Sequence, residues 1–75
     1  MHNTKYVLER FRKAEEFPEA TEDSILEYLT DLVNNSAATK EEAQEVLMEY
    51  LEFLNVDPDS MRVYNRNGYF EVDFS

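Results

Sequence analysis

The chain has no cysteine, one glycine and one histidine. Without thiols there is no disulfide framework and no thiolate metal site, which points to a reducing, cytoplasmic compartment. The single glycine, Gly68, lies between two strand-like runs, so there is no Gly-rich loop to cradle a phosphate. The single histidine is His2, at a terminus where a preorganised nucleophile–base pair has no scaffold; the chain is read as a non-enzyme that takes no cofactor. "MHNTKYVLERFRK" has no continuous apolar run of the signal-peptide kind, and nothing in the sequence approaches the ~20 apolar residues of a membrane span. Basic residues are scarce as well: 7 against 17 acidic ones, for a formal charge of −10. A surface so charged repels DNA, RNA and anionic lipid, which leaves a basic protein surface as its counterpart.

What is present is a foldable composition. At 43% hydrophobic and 13% aromatic, the sequence is far from a disordered acidic tail. Its 75 residues make one small domain, residues 1–75. The charge is unevenly placed. In residues 1–14, Lys5, Arg10, Arg12 and Lys13 face Glu9 alone, a net of +3. In residues 15–60, 14 acids face only Lys40, a net of −13, and residues 61–75 are balanced.

Three helical patterns and a hairpin follow from the periodicity. Val7, Leu8, Phe11 and Ala14, with Phe17 beyond them, share one face of a helix that starts near Thr4 and stops before Pro18, although "KYVLERF" can also be read as a strand. A second helix is expected over Glu22–Asn34. Its buried face is Ile25, Tyr28, Leu29, Leu32 and Val33; Thr21, Asp23 and Ser24 are acceptable N-caps, and Ser24 with Glu27 matches a capping box. "NNSAAT" ends it, two asparagines offering left-handed backbone. In "TKEEAQEVLMEYLEFL", Thr39 and Glu42 form another capping box. There Ala43, Val46, Leu47, Tyr50, Leu51 and Leu54 gather on one side, and Glu41, Glu42, Glu45, Glu49 and Glu52 on the other. After a turn on Pro58, "MRVYNRNGYFEVDFS" carries Asn67-Gly68 between alternating runs, the strongest local hairpin signal. A two-residue turn there pairs Arg66 with Tyr69 and Met61 with Phe74, placing Met61, Val63, Phe70, Val72 and Phe74 on one face; a four-residue turn would shift the pairs and keep the same faces. The expected fold is α+β: three helices with a two-stranded antiparallel hairpin packed on them.

Two local patterns have plainer explanations than a site. Asn55, Asp57 and Asp59 alternate like the start of a calcium loop, but Ser60 and Arg66 stand where that loop needs Gly and Glu, so no metal is expected. Asp23-Ser24-Ile25-Leu26 at a helix start is similar to the Asp-Ser-Leu attachment site of acyl carrier proteins. That resemblance implies phosphopantetheine on Ser24 and an all-helical fold, from which the expected hairpin departs; a serine at a helix cap accounts for the same residues. The basic run "KYVLERFRK" is read as a partner for the chain's own acidic helices.

The row of glutamates on the third helix is harder to set aside. Like charges at i,i+4 destabilise a helix by a few tenths of a kcal/mol per pair, and no lysine after Lys40 relieves them. Carboxylates spaced about 5–6 Å apart present a step comparable to a phosphate backbone. In size and charge the chain is similar to small phage-encoded inhibitors, including some anti-restriction and anti-CRISPR proteins. The expectation is an acidic inhibitor, a nucleic-acid mimic that occupies a basic, nucleic-acid-handling site on a partner protein. Glu41, Glu45, Glu49 and Glu52 would carry the binding, with Glu22, Glu27 and Asp31 in support and Met48 and Phe53 as apolar anchors. The alternative is an antitoxin- or immunity-like or structural protein that binds through apolar helix faces, including as a homodimer.

Overall fold

A computed structural model describes residues 4–75; His2 lies outside them. Three helices, α1 (Thr4–Ala14), α2 (Glu22–Ser36) and α3 (Lys40–Phe53), precede one 3-10 turn at Pro58–Ser60 and the strands β1 (Met61–Arg66) and β2 (Tyr69–Phe74). The strands pair antiparallel in the register of the two-residue turn, from Arg66↔Tyr69 to Met61↔Phe74. Asn67 (φ 54°) and Gly68 (φ 84°) are both left-handed, as a two-residue turn matched to strand twist demands. The α+β architecture is therefore as anticipated.

One core joins the elements. Val7 and Phe11 of α1, Ile25, Leu29 and Val33 of α2, and Ala43, Leu47 and Leu51 of α3 pack with Met61, Val63, Phe70 and Val72 from the inner face of the hairpin. The hairpin is held at its outer edge as well. Asn34 and Thr30 of α2 bond the backbone of Phe70 and Val72, on the side of β2 that faces away from β1. Side chains thus take the place of a third strand along an edge that would otherwise expose unpaired donors.

With one glycine in the chain, the helices stop by other means. At the end of α1, Phe17 N–H reaches Arg12 O at 2.9 Å and Glu16 N–H reaches Lys13 O at 3.4 Å, with Glu16 left-handed at φ 53°. At the end of α3, Val56 N–H bonds Leu51 O at 3.0 Å and Asn55 N–H bonds Glu52 O at 2.9 Å, with Asn55 at φ 63°. Both are Schellman motifs with a side chain where glycine is usual. Asn55 and Asp57 are thereby accounted for: one ends a helix, and the other caps the 3-10 turn by accepting Asp59 N–H at 2.9 Å.

Several expectations need correction. Of the three N-caps offered for α2 the chain uses Thr21, and the capping box is Thr21 with Ser24 rather than Ser24 with Glu27: the Ser24 hydroxyl accepts Thr21 N–H at 3.1 Å. The helix runs to Ser36 rather than Asn34, and its cap, Ala37, is extended, so neither asparagine turns left-handed. Asn34 is instead spent on β2. Ala14 is exposed, and Phe17 lies beyond α1 and is 45% exposed. Tyr28, expected inside, is 40% exposed.

Candidate functional site

On α3 the cap works as expected: Glu42 accepts Thr39 N–H at 3.2 Å and Ala38 N–H at 2.9 Å, while Thr39 Oγ1 accepts Glu42 N–H. Glu42 is thus structural, and the free row is Glu41, Glu45, Glu49 and Glu52, all exposed. With about 100° between successive residues on a helix of 3.6 per turn, these four span roughly 80° of the surface of α3. Met48, 47% exposed, borders the row on the hairpin side, next to Leu47, Pro58, Met61 and Arg62. Phe53, 67% exposed, borders it on the α2 side. The row therefore has an apolar residue on each flank, as the spacing implies.

Among the described residues a single ion pair occurs, Arg66 Nη1 to Glu71 Oε1 at 3.0 Å, on the outer face of the hairpin. It is a contact of charge and not an aligned hydrogen bond, and with Arg66 well exposed it adds little to stability. The basic α1 patch does not neutralise the acidic helices, contrary to the expectation from sequence. Arg10 Nε donates to Leu54 O at 2.7 Å and Arg12 Nε to Ala20 O at 2.8 Å, so both arginines close loops onto backbone carbonyls.

The supporting acids of α2 divide. Glu27 and Asp31, at i,i+4 and exposed, lie side by side on the solvent face. Glu22, exposed in the first turn, points about 140° away from Glu27 around a helix of 3.6 residues per turn. It does not share their surface.

What joins the α2 pair to the α3 row is a feature that sequence reading missed. Four rings form a ladder across the three helices. Phe11 meets Tyr28 edge-on at 5.4 Å, Tyr28 meets Tyr50 at 5.8 Å, and Tyr50 meets Phe53 at 5.9 Å. Such contacts are worth about 0.5–1.5 kcal/mol beyond burial. Tyr50 O–H donates to Glu15 Oε2 at 2.7 Å, anchoring the ladder to the loop after α1. Burial first, then the hydrogen bond to Glu15 and its negative charge, push the Tyr50 phenol well above its ordinary range. Tyr28 is raised as well, by burial first and then by the charge of Glu15. Glu27 and Asp31 lie beside Tyr28, and Glu49 and Glu52 beside Phe53, so an aromatic seam runs between two sets of carboxylates. The signal was present in the helical spacing of Tyr28 and of Tyr50 with Phe53, which places them at the edges of their apolar faces.

Ser24, with its hydroxyl 3.2 Å from Thr21 Oγ1, belongs to the α2 cap. Among the described residues no helix is long and apolar enough to cross a membrane. Comparison with known proteins returned no family model, no curated protein and no solved structure that matches the chain.

Proposed function

We propose that this chain is a small acidic binding protein that occupies a basic site on a partner protein, one that handles nucleic acid, and inhibits that partner by competition. One observation carries the reading. Glu41, Glu45, Glu49, Glu52, Glu27 and Asp31 are exposed and unpaired among the described residues, while Arg10 and Arg12 are spent on carbonyls. A helix that keeps its like charges unrelieved forgoes stability that mixed charge would supply. A binding role for the row gives that loss a purpose. The row supplies the repeated negative charge of a nucleic-acid backbone, and Met48 and Phe53 supply apolar contact at its margins. Cytoplasmic action of the phage anti-defence type fits this mode.

The test is capture from cell extract with the tagged chain and with a variant in which Glu45, Glu49 and Glu52 are all changed to Gln. A nucleic-acid-binding protein retained by the first and lost by the second supports the reading. Equal retention by both favours the other class of function, an antitoxin- or immunity-like or structural protein that binds through apolar helix faces, whose support is the exposure of Phe53 on α3.

A further inference from the structure

The aromatic ladder opens at its α1 end into a groove of about 310 Å³, bounded by Phe11, Phe17, Ser24, Glu27, Tyr28 and Asp31. Phe11 is its buried floor, and Phe17 and Tyr28 present partly exposed rings at its sides. Ligand pockets run from roughly 300 to 1,000 Å³, so this groove suits one inserted side chain rather than a cofactor. Its walls combine ring faces, whose quadrupole attracts a cation, with two carboxylates on the solvent side. An apolar side chain placed there would strip water from Glu27 and Asp31 without pairing them, at a cost. No arginine or lysine of the described residues lines this groove, and Arg12 Nε donates to Ala20 O.

We propose that this groove receives an arginine side chain of the basic partner, its guanidinium plane against the rings of Tyr28 and Phe17 and its N–H donors met by Glu27 and Asp31. The inference rests on the preceding reading, that the partner is a basic protein, and names how one of its residues is held. Arginine fits better than lysine. Its flat, weakly hydrated cation stacks on an aromatic ring and offers a fork of donors to carboxylates, whereas an ammonium is a compact and strongly hydrated point charge. The acidic row of α3 draws a weaker distinction, because only Glu49 and Glu52 adjoin a ring, that of Phe53, and exposed carboxylates respond mainly to net charge.

That difference supplies the experiment. The full chain is titrated by calorimetry with nona-arginine and with nona-lysine, peptides of equal charge, at one fixed ionic strength. The arginine peptide is expected to bind roughly two- to fivefold tighter, the range of one partly exposed cation–π contact. Changing Tyr28 and Phe17 to Leu should abolish that preference while leaving nona-lysine affinity as it was. Phe17→Ser alone, at a half-exposed position outside any helix, should reduce the preference, with the thermal unfolding of the variant checked alongside. Proton NMR should show the arginine side-chain methylenes shifted upfield by the rings. Equal affinity for the two peptides, undetectable binding of nona-arginine, or a preference that survives loss of both rings would overturn the groove. Equal but strongly salt-dependent binding removes the groove and leaves the acidic-surface reading standing. Conversely, partner capture unaffected by neutralising α3, alongside a ring-dependent arginine preference, removes the broader reading and leaves the groove.

Discussion

The Asn34 side-chain amide bonds both backbone groups of Phe70, Nδ2 donating to Phe70 O at 2.7 Å and Oδ1 accepting Phe70 N–H at 3.0 Å. The same Nδ2 also donates to Thr30 O at 2.7 Å. One residue on the last turns of α2 thus fixes the hairpin to the helices and closes the edge of β2. Asn34→Ala is expected to cost about 2–3 kcal/mol, since it leaves a partly buried donor and acceptor of Phe70 without partners. For a domain of this size that lowers Tm by upwards of about 10 °C. Asn34→Asp keeps the acceptor but sets a carboxylate against the Phe70 carbonyl, and should be no better tolerated. Thermal unfolding followed by circular dichroism checks both.

Backbone conformation offers a pair of opposite outcomes. Glu16 holds a left-handed conformation that costs a side-chain-bearing residue about 1 kcal/mol or more, so Glu16→Gly should raise stability by roughly that amount. Gly68→Ala should lower it by a similar amount, about 1 kcal/mol, through backbone strain alone. A Cβ at Gly68 meets nothing within 4 Å. Urea midpoints at unchanged m-value would register both shifts.

The architecture was readable wherever a local signal is obligatory. Asn67-Gly68 placed the hairpin and the alternation on either side set its faces, while the choice of the two-residue turn, and with it the register, is settled by the structure. Thr39 and Glu42 set the start of α3. At the start of α2 two overlapping capping patterns competed, Thr21 with Ser24 and Ser24 with Glu27, and nothing local ranks them. The grip of Asn34 on Phe70 spans 36 residues, and no short-range pattern announces it. The site was half legible for the same reason. Periodicity put the glutamates of α3 on one face, but the aromatic seam arises only when three helices meet, and α1 stops early enough to leave Phe17 and Tyr28 exposed.

The Tyr50–Glu15 contact sets a pH dependence. With both phenols raised above the usual tyrosine value of 10.0, the unfolded chain ionises first as pH rises. Their contribution to stability is whole below pH 10 and declines above it, as the unfolded state loses protons that the native state keeps. Tyr50→Phe should therefore unfold less steeply with pH than the native sequence above about pH 10. At neutral pH it should be weaker by about 1 kcal/mol, a modest figure because the hydrogen bond is only partly buried. Chemical denaturation between pH 7 and 11 measures both effects.

Charge reversal on α3 should separate stability from binding. Glu49→Lys turns the Glu45–Glu49 repulsion into an i,i+4 attraction and places a cation toward the negative end of the helix dipole. Stability at low salt is expected to rise by about 0.5–1 kcal/mol, whereas affinity for the basic partner should fall. A variant that is both less stable and a weaker binder would mean that the row serves the fold.

The most direct examination of the acidic surface is the affinity of the purified complex, once its partner is in hand, as a function of salt. Dissociation constants would be taken between 50 and 400 mM NaCl, with and without the nucleic acid that the partner binds. If Glu41, Glu45, Glu49 and Glu52 stand in for a phosphate backbone, affinity should drop several-fold for each doubling of salt, as counterion release and screening require. The nucleic acid should displace the chain competitively, and the Gln-substituted variant should show a shallower slope. Affinity indifferent to salt, or simultaneous binding of nucleic acid and this chain to one partner, would contradict it.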